Sequence, residues 1–188
     1  MKNPMMQNNI FAQLKKYNMK KILFTILMFL CISCVNENEN VATIKVTLEE
    51  IKQNPNFSWF DKDYDSYPVN SNAIQDIKDN FDSINHKIII FTAWDCLCGK
   101  EYLKFPYFIK ILDSANISEK NYEIFIMGTI ESQHPYSALF KVAKIPSFNI
   151  LYDGHFVYSV NDTAIKYSKT LEPALLEGLK TKPSLLAD

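Results

Sequence analysis

A chain of 188 residues with a formal charge of −1 is long enough for one domain of ordinary size and an additional N-terminal segment, but not for two independent cores. Its hydrophobic content of 47% and aromatic content of 13% are typical of a globular protein with a filled core. All 20 basic residues are lysine, which excludes bidentate arginine clamps, and no basic stripe indicates nucleic-acid binding. The chain has only four glycines and no phosphate-binding glycine loop, so a nucleotide cradle is not expected.

Residues 1–33 have the pattern of an export signal. Lys20 and Lys21 precede an apolar run at 22–32, which is shorter than the roughly 20 residues that span a bilayer. Ser33 and Cys34 follow, and this ending resembles a bacterial lipoprotein signal that is cleaved before Cys34, the residue that is then lipidated. The competing interpretations are a buried N-terminal helix and a retained anchor.

Cleavage before Cys34 changes the electrostatics of the chain. Residues 1–33 contain five lysines and no acidic residue, so the processed chain has 15 lysines against 21 acidic residues, a formal charge of −6. Such a protein is not attracted to anionic lipid and depends on its anchor. We therefore expect a polar tether at 34–40 and an extracytoplasmic protein held by lipid at the periplasmic face or the outer membrane.

The segment 41–70 is predicted to be an N-terminal extension that precedes the main domain at 71–188. Ala42–Leu48 alternates β-branched and polar residues as a short strand does, and Thr47 is a candidate cap for a helical turn through Ile51. Residues 54–70 are aromatic and polar, which favours an ordered loop, with a peptide-binding lip as the minority interpretation. Apolar residues at helical spacing then predict a helix over Ser71–Ile84.

The next strand and helix enclose two cysteines. The apolar run Ile88–Ala93 predicts a buried strand, and it is followed by Trp94, Cys96 and Cys98. The apolar positions after the cysteines mark one face of a helix, in which Pro106 is expected to produce a kink. Thiols at a helix N-terminus face free backbone N–H groups and the positive end of the helix dipole, and both favour the thiolate.

The last third of the chain is predicted to add three strands and two helices. Asp153-Gly154 is a turn signal between two alternating runs, which indicates a hairpin. The predicted elements are strands at Tyr122–Met127, Ser147–Tyr152 and Phe156–Val160 and helices at Ala138–Ala143 and Leu171–Leu179. The complete order is β, α, β, α, β, α, β, β, α, which predicts an α/β fold with a central mixed sheet and helices on both faces.

Two separated signatures resemble those of the thioredoxin-fold family, specifically its extracytoplasmic lipoprotein members. The first is Phe91-Thr92-Ala93-Trp94 leading into Cys96-Leu97-Cys98, and the second is Lys144-Ile145-Pro146-Ser147-Phe148 leading to Asp153-Gly154. The resemblance implies a three-layer fold, a cis peptide bond before Pro146 and a thiol–disulfide oxidoreductase acting on protein thiols or disulfides. It assigns catalysis to Cys96 and Cys98 and substrate binding to Trp94, Ile145 and Pro146, and it implies no cofactor.

The sequence departs from the family pattern in the spacing of the two cysteines. The family has Cys-x-x-Cys, whereas this chain has Cys-x-Cys. Counting from Phe91 makes Cys96 the nucleophile, counting back from Pro106 makes it Cys98, and a third register treats the site as a one-residue deletion. Cysteines two residues apart lie roughly 5.5–7 Å apart at Cα, near the limit for a disulfide, so a strained bridge of the oxidant or isomerase type is expected.

Three other functions compete with disulfide exchange. Cys96 and Cys98 can form a fixed structural disulfide, or the domain can have kept only a binding surface. The two cysteines can also bind copper together with His134 or His155, as in a copper-delivery branch of the same fold. For the oxidoreductase, no metal ion is expected.

Overall fold

The computed structural model describes residues 43–94, 101–160 and 170–183, which all belong to one compact unit, Asn40–Asp188. Five strands form a mixed sheet in the order β1-β3-β2-β4-β5. Strands β2 and β3 are parallel, and the other neighbours are antiparallel. The strands are β1 (Ile44–Val46), β2 (His86–Thr92), β3 (Tyr122–Ile126), β4 (Ser147–Tyr152) and β5 (His155–Ser159).

Five α-helices are described together with three short 3₁₀ turns. The predicted α/β class with a central mixed sheet is thereby confirmed. The helices are α1 (Leu48–Gln53), α2 (Phe60–Ser66), α3 (Ser71–Asn80), α4 (Lys104–Ser114) and α5 (Leu171–Lys180). The 3₁₀ turns are Pro55–Phe57, Glu101–Leu103 and Glu119–Asn121.

The central strand β2 divides the core in two because its side chains alternate between the sheet faces. Ile88 and Ile90 belong to the larger core cluster, and Ile89 and Phe91 belong to the smaller one. All four side chains are fully buried. A continuous apolar run with both faces covered is what a central strand requires.

All five described helices pack on the Ile88–Ile90 face, since their buried side chains belong to the larger cluster. The expectation of helices on both faces is therefore wrong for the part of the chain that the structure describes. The opposite face, which carries Ile89 and Phe91 and which we call the rear face, is covered by residues of 128–146, mainly Phe140 and Val142.

The helix predicted at Ala138–Ala143 is absent, and this segment forms turns and irregular backbone. Its burial alternates: Phe140 and Val142 are buried, whereas Lys141 and Ala143 are exposed. Side chains of extended backbone alternate with a period of two residues, so Phe140 and Val142 both reach the sheet without a helix. The six-residue run was also too short to distinguish a helix from an extended segment.

The segment that precedes α3 is part of the same core as the rest. Strand β1 pairs with β3, and Leu48, Ile51, Phe57 and Phe60 are buried in the larger cluster. Residues 54–70, expected to be a loop, contain the 3₁₀ turn Pro55–Phe57 and helix α2. The aromatic side chains supply enough burial to order a short helix whose sequence lacks a clear 3.6-residue period.

The starts of α1 and α3 and the position of the hairpin turn were predicted to within one residue, whereas the end of α3 was predicted four residues too late. Thr47 caps α1 in a capping box with Glu50, as its sequence predicts. Helix α3 is capped by Asn70 instead of Ser71 and ends at Asn80, so Ile84 lies outside it and is 90% exposed. The predicted Asp153-Gly154 turn is present, with φ values of 50° and 77°.

Candidate functional site

The sheet pairing brings the end of β2 beside the start of β4. Phe91 pairs with Ser147 at one end of the two antiparallel strands, and His86 pairs with Tyr152 at the other. Trp94 follows β2, and Ile145-Pro146 immediately precedes β4, so these three predicted substrate-binding residues lie at the same end of the sheet. We call this the Trp94 end.

The peptide bond between Ile145 and Pro146 is cis, as the resemblance implies. Pro146 is buried, and Ile145 is half-buried against the smaller core cluster. Cis bonds before proline are a minority conformation that tertiary context selects. The cis bond therefore fixes how the chain enters β4 at the Trp94 end.

The predicted catalytic residues Cys96 and Cys98 lie outside the described residues, as does the predicted lipidation residue Cys34. In sequence, the two thiols follow Trp94 by two and four residues. The chain is described again from Glu101, where a 3₁₀ turn leads into α4. Pro106 is the third residue of α4, a first-turn position where its missing N–H costs no helical hydrogen bond, so it lies near the helix start and not at a mid-helix kink.

Trp94 lies half-buried between the core and an open depression. Its ring centroid is 5.8 Å from that of Phe57. The depression has a volume of about 400 Å³ and is lined by Trp94, the end of β1, α1 and Pro55. An indole in this position offers an apolar wall beside the segment that carries the thiols.

A second cleft of about 440 Å³ lies in the segment that covers the rear face of the sheet. It is lined by His134, whose ring lies 4.7 Å from Phe91 and 5.4 Å from Phe140. The His134 Nδ1 atom is buried without a hydrogen-bond partner among the described residues, and burial lowers the pKa of this imidazole. The neutral ring is therefore favoured at pH 7.

The two histidines of the copper hypothesis lie at opposite ends of the sheet. His134 contacts Phe91 near the Trp94 end. His155 pairs with Tyr152, which pairs with His86 at the far end of β2, five residues or about 17 Å along the strand from Phe91. His155 is therefore separated from the residue that leads into the two cysteines, and His134 is the better placed histidine of the two.

An ionic cluster on the rear face was not predicted from the sequence. The Glu123 carboxylate lies 2.9 Å from Lys45 Nζ and 3.0 Å from Lys87 Nζ, and it accepts a 2.7 Å hydrogen bond from the Tyr136 hydroxyl. Burial raises the pKa of the Glu123 carboxyl, but the hydrogen bonds from Lys45, Tyr136 and Lys87 outweigh it and bring the pKa to about 2. The cluster ties β1, β2 and β3 to the segment after β3.

Comparison with family models, with curated proteins and with solved structures finds no match to this chain. Within residues 43–94, 101–160 and 170–183, no group of three or more His, Cys, Asp or Glu residues is arranged to hold a metal ion. In the same described part of the chain, no helix combines the length and apolar character needed to cross a bilayer.

Proposed function

We propose that this chain is a thioredoxin-fold thiol–disulfide oxidoreductase of the oxidant or isomerase type, acting on exported proteins through Cys96 and Cys98. One observation carries the proposal: the antiparallel pairing of β2 with β4 brings the residues leading to the thiols beside the cis Ile145-Pro146 bond. A fixed structural disulfide accounts for the two cysteines but leaves this second element of the site without a role.

The strand arrangement also supports the proposal. A parallel β2-β3 pair is flanked by the antiparallel hairpin β4-β5, and α4 follows the thiol segment, as expected for this fold. The chain differs from the family in its rear layer, which contains turns where a helix is expected in the described residues. The pairing of β2 with β4, which forms the Trp94 end, does not require a helix in this layer.

In the proposed reaction, one thiolate attacks a disulfide of the partner protein. The partner's S–S bond breaks as a mixed disulfide forms, and the released sulfur takes a proton. The second cysteine then attacks the mixed disulfide, which leaves Cys96–Cys98 oxidised and the partner reduced; the reverse sequence oxidises a partner dithiol. Cys98 is the preferred nucleophile because the count back from Pro106 gives it that role, and it is the cysteine nearer in sequence to the 3₁₀ turn at Glu101–Leu103 that leads into α4.

The other predicted residues hold the partner in this scheme. Ile145 presents its backbone N–H and C=O to an extended partner segment, and Pro146 fixes the direction of the chain there. Trp94 supplies an apolar rim. The processed chain starts at a lipidated Cys34, so that a protein with a formal charge of −6 stays at an extracytoplasmic membrane surface.

The proposal is tested with a model peptide that contains a single disulfide, mixed with the full chain and its Cys96→Ser and Cys98→Ser variants. If Cys98 is the nucleophile, Cys96→Ser accumulates a mixed disulfide visible by mass spectrometry, while Cys98→Ser forms none. The reverse pattern transfers the role to Cys96, and no adduct in either variant contradicts the proposal.

Two further measurements identify the competing functions. A pure binding module retains its partner when both cysteines are replaced by Ser. A copper-delivery protein takes up one equivalent of Cu(I), and that uptake is lost in His134→Asn and retained in His155→Asn.

A further inference from the structure

The two ends of the thiol-bearing segment contact the same short piece of chain. Trp94, the last described residue before the thiols, has its ring 5.8 Å from Phe57. Tyr102, in the 3₁₀ turn after them, has its ring 4.7 Å from Trp59 in an edge-on arrangement. Phe57 and Trp59 are two residues apart, and we call this pair the aromatic bracket.

The bracket is anchored independently of the thiol segment. Phe57 is 1% exposed, and its ring lies 6.2 Å from Phe105 of α4. The indole N–H of Trp59 donates a 3.0 Å hydrogen bond to the Asn56 carbonyl, and Asn54 caps the 3₁₀ turn that contains Phe57. A buried ring and two local hydrogen bonds make this piece of chain a fixed support.

We propose that Phe57 and Trp59 are positioning residues that hold the entry and the exit of the thiol segment at a fixed separation, and so set the reactivity of Cys96 and Cys98. The redox consequence rests on the proposed function. Two thiols on a segment whose ends are fixed are expected to meet at a higher effective concentration than two thiols on a segment whose ends can move. Removing the bracket therefore weakens the Cys96–Cys98 disulfide relative to the dithiol.

The equilibrium in question is exchange with glutathione. The S–S bond of oxidised glutathione breaks, a bond forms between the sulfurs of Cys96 and Cys98, and the two cysteine protons end on two molecules of reduced glutathione. One aromatic ring pair contributes only a small free energy. Losing one pair is therefore expected to lower the exchange constant by about threefold to tenfold.

The experiment uses the full chain with Trp59→Ala, Trp59→Phe and Phe57→Leu, and two readouts. The first is the exchange constant with glutathione, and the second is the pH profile of iodoacetamide alkylation of the reduced cysteines. Trp59→Ala and Phe57→Leu are expected to lower the exchange constant and to move the alkylation profile towards that of a free thiol, at pH about 8.5. Trp59→Phe keeps an aromatic edge against Tyr102, so both readouts are expected to stay at wild-type values.

The matched control is Tyr107→Ala, which removes a different ring contact of α4. Tyr107 stacks on Tyr67 with ring centroids 4.5 Å apart and takes no part in the bracket. This variant is expected to be destabilised while both thiol readouts stay at wild-type values. If it shifts them as Trp59→Ala does, general loss of stability explains the effect, and the positioning role is wrong.

The two proposals fail in different ways. If the wild-type thiols do not exchange with glutathione, disulfide exchange is wrong, and the alkylation profiles alone decide the positioning role. If the wild-type thiols exchange, and the bracket variants match wild type in both readouts, the positioning role is overturned while the proposed function stands.

Discussion

At the scale of single residues, Glu123 shows how a half-exposed sheet surface is held together at neutral pH. Its carboxylate accepts from Lys45, Lys87 and Tyr136, which belong to three different parts of the chain. Its pKa falls from 4.5 to about 2 on folding, so the charged form stabilises the native state fully above pH 4.5. This contribution is lost as the pH falls towards 2.

We therefore predict that Glu123→Gln lowers the free energy of unfolding by about 1 kcal/mol at pH 7. The deficit should shrink below pH 4.5 and vanish near pH 2, because the wild-type carboxylate is then protonated as well. Urea unfolding at pH 7, 4 and 2.5 measures it, with the exposed Glu131→Gln as the control. A deficit that stays constant over this range contradicts the account.

At the scale of elements, the segment before α3 is joined to α5 through a buried carboxylate. Glu172 is 2% exposed and accepts a 2.8 Å hydrogen bond from the Tyr67 hydroxyl and a 3.4 Å one from the Asn70 backbone N–H. Burial raises the pKa of Tyr67 above its ordinary value, so the hydroxyl stays protonated and donates. The connection makes residues 54–70 a structural part of the helical layer.

Tyr67→Phe should therefore cost about 2 kcal/mol of stability, because a buried carboxylate loses a donor. Tyr64→Phe is the matched comparison: it removes a 2.8 Å hydrogen bond to Asp113, an exposed residue that water can solvate, and should cost under about 1 kcal/mol. Denaturant melts of both variants provide the measurement. Equal losses would mean that Glu172 does not depend on Tyr67.

Helix α5 packs closely enough on the sheet that one of its positions requires glycine. A Cβ added at Gly178 would collide with Ile150 Cδ1 and lie 2.7 Å from Tyr158 Cδ1. Gly178→Ala should lower stability by about 1–3 kcal/mol, although alanine favours helices, because overpacking outweighs propensity. Thermal unfolding measures the loss, with Lys180→Ala, at an exposed position of the same helix, as the control. A Gly178→Ala variant as stable as wild type would show that Ile150 and Tyr158 can move to accept the added methyl group.

The regular elements were predictable wherever one physical signal dominated. The apolar run at Ile88–Ala93 located β2, and helical spacing located α4 and α5. The signal was ambiguous at Ala138–Ala143, where six residues fit either period and burial of Phe140 and Val142 against the sheet favoured extended backbone. In residues 54–70 the aromatic contacts that order α2 reach residues far along the chain, and local sequence does not show these partners.

At the scale of the whole molecule, the candidate site comes from three distant stretches of sequence. Trp94 and Pro146 were predictable because each is part of a motif, and the pairing of β2 with β4 brings them to one end of the sheet. Phe57 and Trp59 were visible only as aromatic content. Their position at both ends of the thiol segment depends on how the 3₁₀ turn packs on α4, which no sequence period encodes.

The central claim is that the segment between Trp94 and Tyr102 carries a redox-active dithiol. The most direct measurement is the number of free thiols in the full chain after equilibration in glutathione buffers of increasing oxidising strength. We expect Cys96 and Cys98 to be lost together in a single two-electron transition, and no such intramolecular transition in Cys96→Ser or Cys98→Ser. Free thiols that stay constant in number at Cys96 and Cys98 across all buffers would contradict the account.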